Sequence, residues 1–282
     1  MDRVDKAEIL KVGERAPEIK PDLIAVEEPL EIRIGFGAEQ QREQRSISVT
    51  MRTPGHDFEL ALGFLFTENI ILSYDEVVSI RYCQGTGKQA EKENVVRVEL
   101  SPSVQIDFKK IERHFYTSSS CGVCSKTSID AVKTGCPVIS SALKIDENVI
   151  HQAPDILRAE QRVFEYTGGL HAAGLFNKQG ELMIMREDVG RHNALDKLVG
   201  TALVKQMIPL SDYFVLVSGR ASFELVQKSL MAGVPLMAAV GAPSSLAVAL
   251  ATDFNMTLLG FVRNQSFNVY CGRERLAYEN KN

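Results

Sequence analysis

Two cysteines, Cys121 and Cys124, flank Gly122 and Val123 in the stretch TSSSCGVCSK. Thiols at this spacing can exchange a disulfide, supply half of a metal site, or carry sulfur as a persulfide, and the thiolate is the active form. The run of small, turn-favouring residues predicts an exposed loop over 117–126. Lys126 stands beside the pair, where its charge favours a thiolate weakly. A structural zinc site generally takes four Cys or His ligands, often as two pairs. This chain offers one pair, because Cys136 is followed by Pro137 and opens no second CxxC. His171 and His192, read as loop residues, form no HxE signature, and the PCxxC spacing of zinc deaminases is missing. A thioredoxin-like motif would open a helix directly after a strand, which the serine-rich lead-in opposes. The other thiols are Cys83, Cys136 and Cys271, so the total is odd and the spacing irregular, a poor disulfide framework. Cys83 and Cys271 close predicted strands and read as packing residues.

A second constellation lies in the C-terminal half, where each apolar run opens into glycine, a small hydroxyl residue or arginine. These openings are Arg186-Glu187-Asp188-Val189-Gly190-Arg191-His192-Asn193, Ser218-Gly219-Arg220, Gly241-Ala242-Pro243-Ser244-Ser245 and Arg263-Asn264. Glycine lets backbone N–H groups approach a ligand, helix N-termini favour negative charge, and arginine recognises phosphate in a bidentate fashion. Turns and caps also use glycine and serine, so the inference rests on four such loops falling together. They predict a pocket for a phosphorylated, nucleotide-like ligand, with Arg186, Arg191, Arg220 and Arg263 on phosphates and His171 and His192 lining it. His171 follows Gly168-Gly169, which place it where backbone and ligand can meet. His56 reads as a turn or N-cap residue, and Glu59 and Glu68 as solvated helix positions.

The elements that must position these residues follow from periodicity. Strand signals cover Leu30–Ile34, Ser46–Met51, Val77–Cys83, Asn94–Leu100 and Val104–Phe108. Phe58, Leu62, Leu65 and Phe66 have helical spacing within His56–Asn69. The second half alternates: strand Leu182–Met185, helix Arg191–Gln206, strand Tyr213–Val217, helix Ser222–Ala232, strand Leu236–Val240, helix Ser244–Asp253 and strand Thr257–Val262. That rhythm predicts an α/β layer fold with mainly parallel strands, whose ligands bind beyond the strands' carboxyl ends. The expected organisation is a polar, unpatterned and flexible arm over 1–20, a β-rich subdomain over 21–116, a mobile CxxC loop over 117–126 and an α/β cofactor-binding subdomain over 127–282.

Composition narrows the partners. The 282 residues are 45% hydrophobic and carry a formal net charge of −4, without the basic excess of a general nucleic-acid binder. The N-terminus MDRVDKAEILKVG lacks the apolar core of a secretory signal, and no apolar run approaches the ~18 residues of a membrane span. The expectation is a cytoplasmic protein that binds neither nucleic acid nor membrane and holds no permanent metal.

Taken in order, Arg52-Thr53-Pro54-Gly55-His56-Asp57, Ser120-Cys121-Gly122-Val123-Cys124, Thr167-Gly168-Gly169-Leu170-His171-Ala172-Ala173, Arg186 to Ala194 and Ser218-Gly219-Arg220 resemble the formate dehydrogenase accessory sulfurtransferase (FdhD) family over nearly the whole chain. The resemblance implies a sulfurtransferase with a cytidine-deaminase-like α/β layer domain and a smaller β-rich N-terminal subdomain. It implies that sulfur is taken from a cysteine desulfurase as a persulfide and passed to the molybdenum bis(molybdopterin guanine dinucleotide) cofactor, enabling formate dehydrogenase activity. By that resemblance Cys121 is the carrier and Cys124 its partner. The segment Phe261-Val262-Arg263-Asn264-Gln265-Ser266 matches the family's cofactor-binding segment, and a homodimer is expected. The alternative is a cofactor-binding chaperone that transfers no sulfur. A zinc-dependent deaminase stands behind both.

Overall fold

The computed structural model describes residues 3–13, 17–83, 93–107, 135–263 and 265–277. Cys121, Cys124 and the loop predicted around them lie outside the described residues, as does Asn264.

The first half builds a four-stranded sheet in the order β4-β3-β6-β5 from β3 (Glu28–Phe36), β4 (Glu43–Arg52), β5 (Val77–Tyr82) and β6 (Val95–Leu100). Alternation aims Leu30, Ile32 and Ile34 inward from β3, and all three are fully buried. Helix α1 (Asp57–Thr67) lies against this sheet.

Ahead of it, β1 (Val4–Lys11) and β2 (Glu18–Ala25) pair as an antiparallel hairpin, in place of the unpatterned arm expected over 1–20. Apolar residues on both strands, such as Leu10 and Ile19, stay exposed, so no buried face stamped a two-residue period on the sequence. The predicted strand from Val104 is absent over its described part. Val104 follows a turn, its N–H bonded to Ser101 O, and Val104 and Ile106 pack on the core from irregular backbone.

The second half forms a six-stranded sheet, β13-β12-β11-β10-β8-β9, from β8 (His171–Asn177), β9 (Leu182–Asp188), β10 (Tyr213–Val217), β11 (Leu236–Ala239), β12 (Thr257–Arg263) and β13 (Ser266–Cys271). The α/β layer expectation holds, with a smaller β-rich unit beside it. The expectation of mainly parallel strands does not. Only β10-β11 and β11-β12 pair in parallel, while β8 runs antiparallel to both its neighbours and β13 to β12. β8 and β9 are joined by the short turn through Gly180, which permits a hairpin where a parallel pair would need a crossover.

Both sheet faces are covered. Val215, Val217, Met237 and Leu258 face α1, α4 (Arg191–Val204), α5 (Phe223–Met231) and α6 (Ser245–Asp253). Phe214, Leu216, Ala238 and Leu259 face α2 (Glu147–Glu160) in a second cluster. A short α3 (Arg162–Thr167) follows α2, and β7 (Ile145–Asp146) pairs with β14 (Leu276–Ala277). No helix among the described residues is long and apolar enough to cross a membrane.

The two halves meet where α1 crosses α4. A Cβ on Gly63 would strike the carbonyl oxygen of Asp196, and one on Gly200 would strike that of Glu59. The backbones therefore touch, which only glycine permits.

Candidate functional site

The site follows from strand direction. β10, β11 and β12 end at one edge of the large sheet. β9 runs the same way as β10 and ends there too, while antiparallel β8 begins there, with His171 opposite Asp188. The strand ends are laced by backbone hydrogen bonds: Gly241 N donates to Gly219 O at 2.9 Å, Ser244 N to Ala221 O at 3.0 Å, and Phe261 N to Gly241 O at 3.1 Å. A Cβ on Gly241 would meet Gly219 O at 3.1 Å, so glycine is what lets these strand ends close up.

His171, Arg191, His192, Ser218 and Gly219 come together at this edge. His171 is the first residue of β8 and His192 lies in the first turn of α4, so neither is a loop residue as expected. A Cβ on Gly219 would sit 3.4 Å from His171 Nδ1. Burial, then the charges of Arg191 and His192, holds the His171 imidazolium below its ordinary range, which favours a neutral ring. His192 Nε2 lies 3.2 Å from both Ser222 Oγ and Glu224 Oε2. That hydrogen bond depresses the Glu224 carboxyl. Ser218 Oγ accepts from Ala172 N at 2.9 Å and Ser218 N donates to Ala172 O, so Ser218 clamps β8 to β10. The buried Arg191 Nε has no protein partner, a donor left for an anion at the α4 N-terminus.

The remaining predicted residues divide. Arg220 is exposed beside Gly241. Arg263 is exposed with its guanidinium 5.6 Å from the centre of the Phe261 ring. Phe261 (φ 55°) and Gln265 (φ 55°) hold left-handed backbone on either side of the β12-β13 turn, conformations that carry a strain of about 1–3 kcal/mol in non-glycine residues. Ser266 Oγ donates to Arg263 O. Val262 is fully buried against the α2 side of the sheet, so its side chain packs the core. Arg186 belongs to β9 rather than to the loop after it. It bonds Met185 O at 2.8 Å and lies 3.7 Å from Glu59 on α1. Glu59, expected to be solvated, also meets His56 Nδ1 at 3.1 Å. Glu68, likewise expected in solvent, lies 3.3 Å from buried Lys228.

Beneath the edge sits a polar hub. Asp188 accepts from Gly190 N (2.8 Å), Asn193 Nδ2 (3.0 Å) and Thr53 N (3.2 Å), and pairs with Lys197 Nζ at 2.6 Å. Lys197 also donates to Thr53 O, and Val189 N to Thr53 Oγ1. Next to it, Arg52 and Asp57 form a buried bidentate pair at 3.1 and 2.9 Å. The segments Arg52–Asp57 and Arg186–Asn193, distant in sequence, thus lock into one unit that fixes the start of α4, and with it Arg191 and His192.

A cleft of 560 Å³ opens on the α2 side of the same edge, with His171 and Ser218 at its boundary and Leu157, Arg158, Gln161 and Phe164 in its wall. These wall residues and Glu224 carry no local sequence signal. Asp188 stands within the Arg186–Asn193 stretch, two residues before Gly190 and the start of α4, and its partners are distant in sequence.

The family model described as the FdhD/NarQ family matches residues 25–277. The chain belongs to the FdhD/NarQ family. It is 48% identical over 277 residues to a protein of Streptomyces coelicolor named sulfur carrier protein FdhD, covering 97% of this chain and 95% of that one. A protein of the same name from Saccharolobus solfataricus is 40% identical over 274 residues, covering 97% and 98%. Among solved structures, a proposed formate dehydrogenase accessory protein from Desulfotalea psychrophila superposes with a TM-score of 0.76 at 21% identity, over 98% of this chain and 100% of that one. At that identity the superposition speaks for the fold. The matched residues span both the four-stranded unit and the six-stranded sheet.

Proposed function

We propose that this chain is a sulfur carrier in formate dehydrogenase maturation. In this reading the Cys121 thiolate attacks the terminal sulfur of a cysteine desulfurase persulfide, the donor leaves as a thiolate, and Cys124 assists. Attack of the Cys124 thiolate on the inner sulfur of the Cys121 persulfide would then form a Cys121–Cys124 disulfide and expel hydrosulfide, the reduced sulfur passed to a molybdenum bis(molybdopterin guanine dinucleotide) cofactor, which is cargo held at the strand-end edge. The observation that carries the reading is the gathering of Arg191, His192, Ser218-Gly219 and a neutral-leaning His171 at one edge, in a chain whose relatives are named sulfur carriers. Orphaned Arg191 Nε, in the first turn of α4, suits a phosphate oxygen. Arg220 and Arg263 add exposed cations around it. Two copies of the chain would offer two such edges to the cofactor's two nucleotide arms. A strictly monomeric, active species in sedimentation would remove that element.

The test is activation of formate dehydrogenase in a host whose own accessory protein is deleted. Wild type restores activity, and Cys121→Ala does not, although it still binds guanine nucleotide. Full activation by Cys121→Ala would replace the carrier reading with that of a cofactor chaperone.

A further inference from the structure

The outer face of the four-stranded sheet carries charge that its own packing does not call for. Alternation turns Leu30, Ile32 and Ile34 of β3 inward, so Glu31, Arg33 and Gly35 lie on the outer face. The pairing registers set Arg33 opposite Arg97 of β6, and Arg97 opposite Arg81 of β5. Three arginines therefore stand in one row across adjacent strands, about 10 Å from end to end at about 4.8 Å per strand. Like charges facing each other across neighbouring strands are destabilising, so the row costs the fold stability.

Compensation is incomplete. Glu31 takes Arg33 in a bidentate pair at 2.9 and 2.8 Å. Glu99 alone answers Arg42 at 2.9 Å, Arg81 at 3.5 Å, and Arg97. Gly35 leaves the room for that carboxylate, since a Cβ there would collide with Glu99 Oε2. Four guanidinium groups thus share two carboxylates, a local positive excess in a chain whose formal net charge is −4. Arg42 spends its other donors on the carbonyls of Gly35, Gly37 and Leu100. Arg81 does not, and its side chain is 58% exposed.

Toward the strand-end edge the same face turns apolar. Val49 and Met51 of β4 lie opposite Glu31 and Pro29 and are 65% and 47% exposed. Met51 O accepts from Asn193 Nδ2 at 2.7 Å, which sets this end of the face beside the start of α4. Exposed apolar side chains flanked by arginine have the composition of a protein interface, whereas a phosphate backbone has no use for Val49 and Met51. A second copy of the chain does not fit either, because a two-fold contact sets a patch against itself, here positive against positive.

We propose that this face docks the apoenzyme that receives the cofactor, through an acidic surface on that partner with apolar side chains at one end. This docking role rests on the reading of the chain as a carrier for formate dehydrogenase. Place supports it as well as charge: the apolar end adjoins the edge where that reading holds the cargo, so a partner seated here meets the cargo.

The test is the affinity of formate dehydrogenase apoenzyme for the full-length chain, measured by biolayer interferometry, with GMP titrated by calorimetry alongside. Val49→Asp and Arg81→Glu are each expected to weaken apoenzyme binding about tenfold or more. Raising salt from about 50 to about 300 mM is expected to weaken wild type severalfold, a readout that needs no variant. Both substituted side chains are exposed, so thermal midpoints should stay within about 2 °C of wild type. GMP affinity and sulfur uptake by the cysteines should be unchanged. Apoenzyme binding that neither substitution nor salt moves, or wild type that does not bind the apoenzyme, overturns the docking face. Conversion of a dimer to a monomer by Val49→Asp overturns it in favour of self-association. Single-stranded RNA binding that Arg81→Glu abolishes, with apoenzyme binding intact, overturns it in favour of nucleic acid. Failure of the carrier reading shows separately, as full activation of formate dehydrogenase by Cys121→Ala.

Discussion

Replacing Asp188 by alanine removes the acceptor that organises the base of the site. Lys197 has no exposed side-chain surface, and its ammonium pairs with Asp188 at 2.6 Å and Thr53 O at 2.8 Å. In Asp188→Ala the ammonium keeps one neutral acceptor, and the N–H groups of Thr53 and Gly190 lose theirs. Breaking a buried ion pair from one side costs about 3–5 kcal/mol, a large share of a typical total stability of about 5–15 kcal/mol. At about 2–4 °C per kcal/mol for large domains, the thermal midpoint should fall by roughly 10 °C. The loss should depend on pH in a defined direction. Burial already holds the Lys197 ammonium below the usual lysine range, and losing the carboxylate lowers it further. The unfolded chain then binds the proton more tightly than the folded one, so the variant's stability rises with pH from neutrality toward about pH 10, and its deficit narrows. Scanning calorimetry at pH 7 and pH 9 measures both effects. A midpoint within about 2 °C of wild type at both pH values would refute the view that this hub holds the start of α4.

Other outcomes follow from the same geometry. Gly63→Ala or Gly200→Ala forces α1 and α4 apart, and urea unfolding should show a loss of about 1–3 kcal/mol or more, as for overpacking. Arg191→Gln should weaken pyrophosphate binding about tenfold with an unchanged thermal midpoint, because the Arg191 Nε has no protein partner to lose. The imidazole of His171, held low chiefly by burial, should titrate by NMR below the ordinary histidine range. An anion bound beside it favours its charged form, so by linkage nucleotide binding should tighten as pH falls from 7 toward 5.5, and His171→Gln should remove that dependence.

Much of the frame was legible because burial wrote it into the sequence. The fully buried faces of β3, β10 and β11, and the helices between the last strands, left clear periods, and the predicted spans agree with the observed ones to within a few residues. The hairpin β1-β2 was not legible, since its apolar residues do not share one buried face. Strand direction was also hidden. The alternation of strands and helices from Leu182 onward suggested a parallel sheet, but the insertion of antiparallel β8 between β9 and β10 depends on pairing over long range. For the candidate site, glycine, serine and arginine at strand ends picked out residues that the fold brings to one edge of the six-stranded sheet. The side chains that define its interior were illegible for a physical reason. Asp188 and Glu224 act through partners distant in sequence, and each alone looks like an ordinary surface or cap residue.

The central claim is that sulfur is carried on Cys121, and intact-protein mass spectrometry tests it most directly. Wild type, Cys121→Ala and Cys124→Ala would be incubated with a cysteine desulfurase and cysteine and analysed without reductant. The account predicts that wild type gains the mass of sulfur, that thiol reductant removes it, and that Cys121→Ala gains none. An active donor that leaves wild type unmodified, or a Cys121→Ala protein that gains sulfur as wild type does, would contradict it.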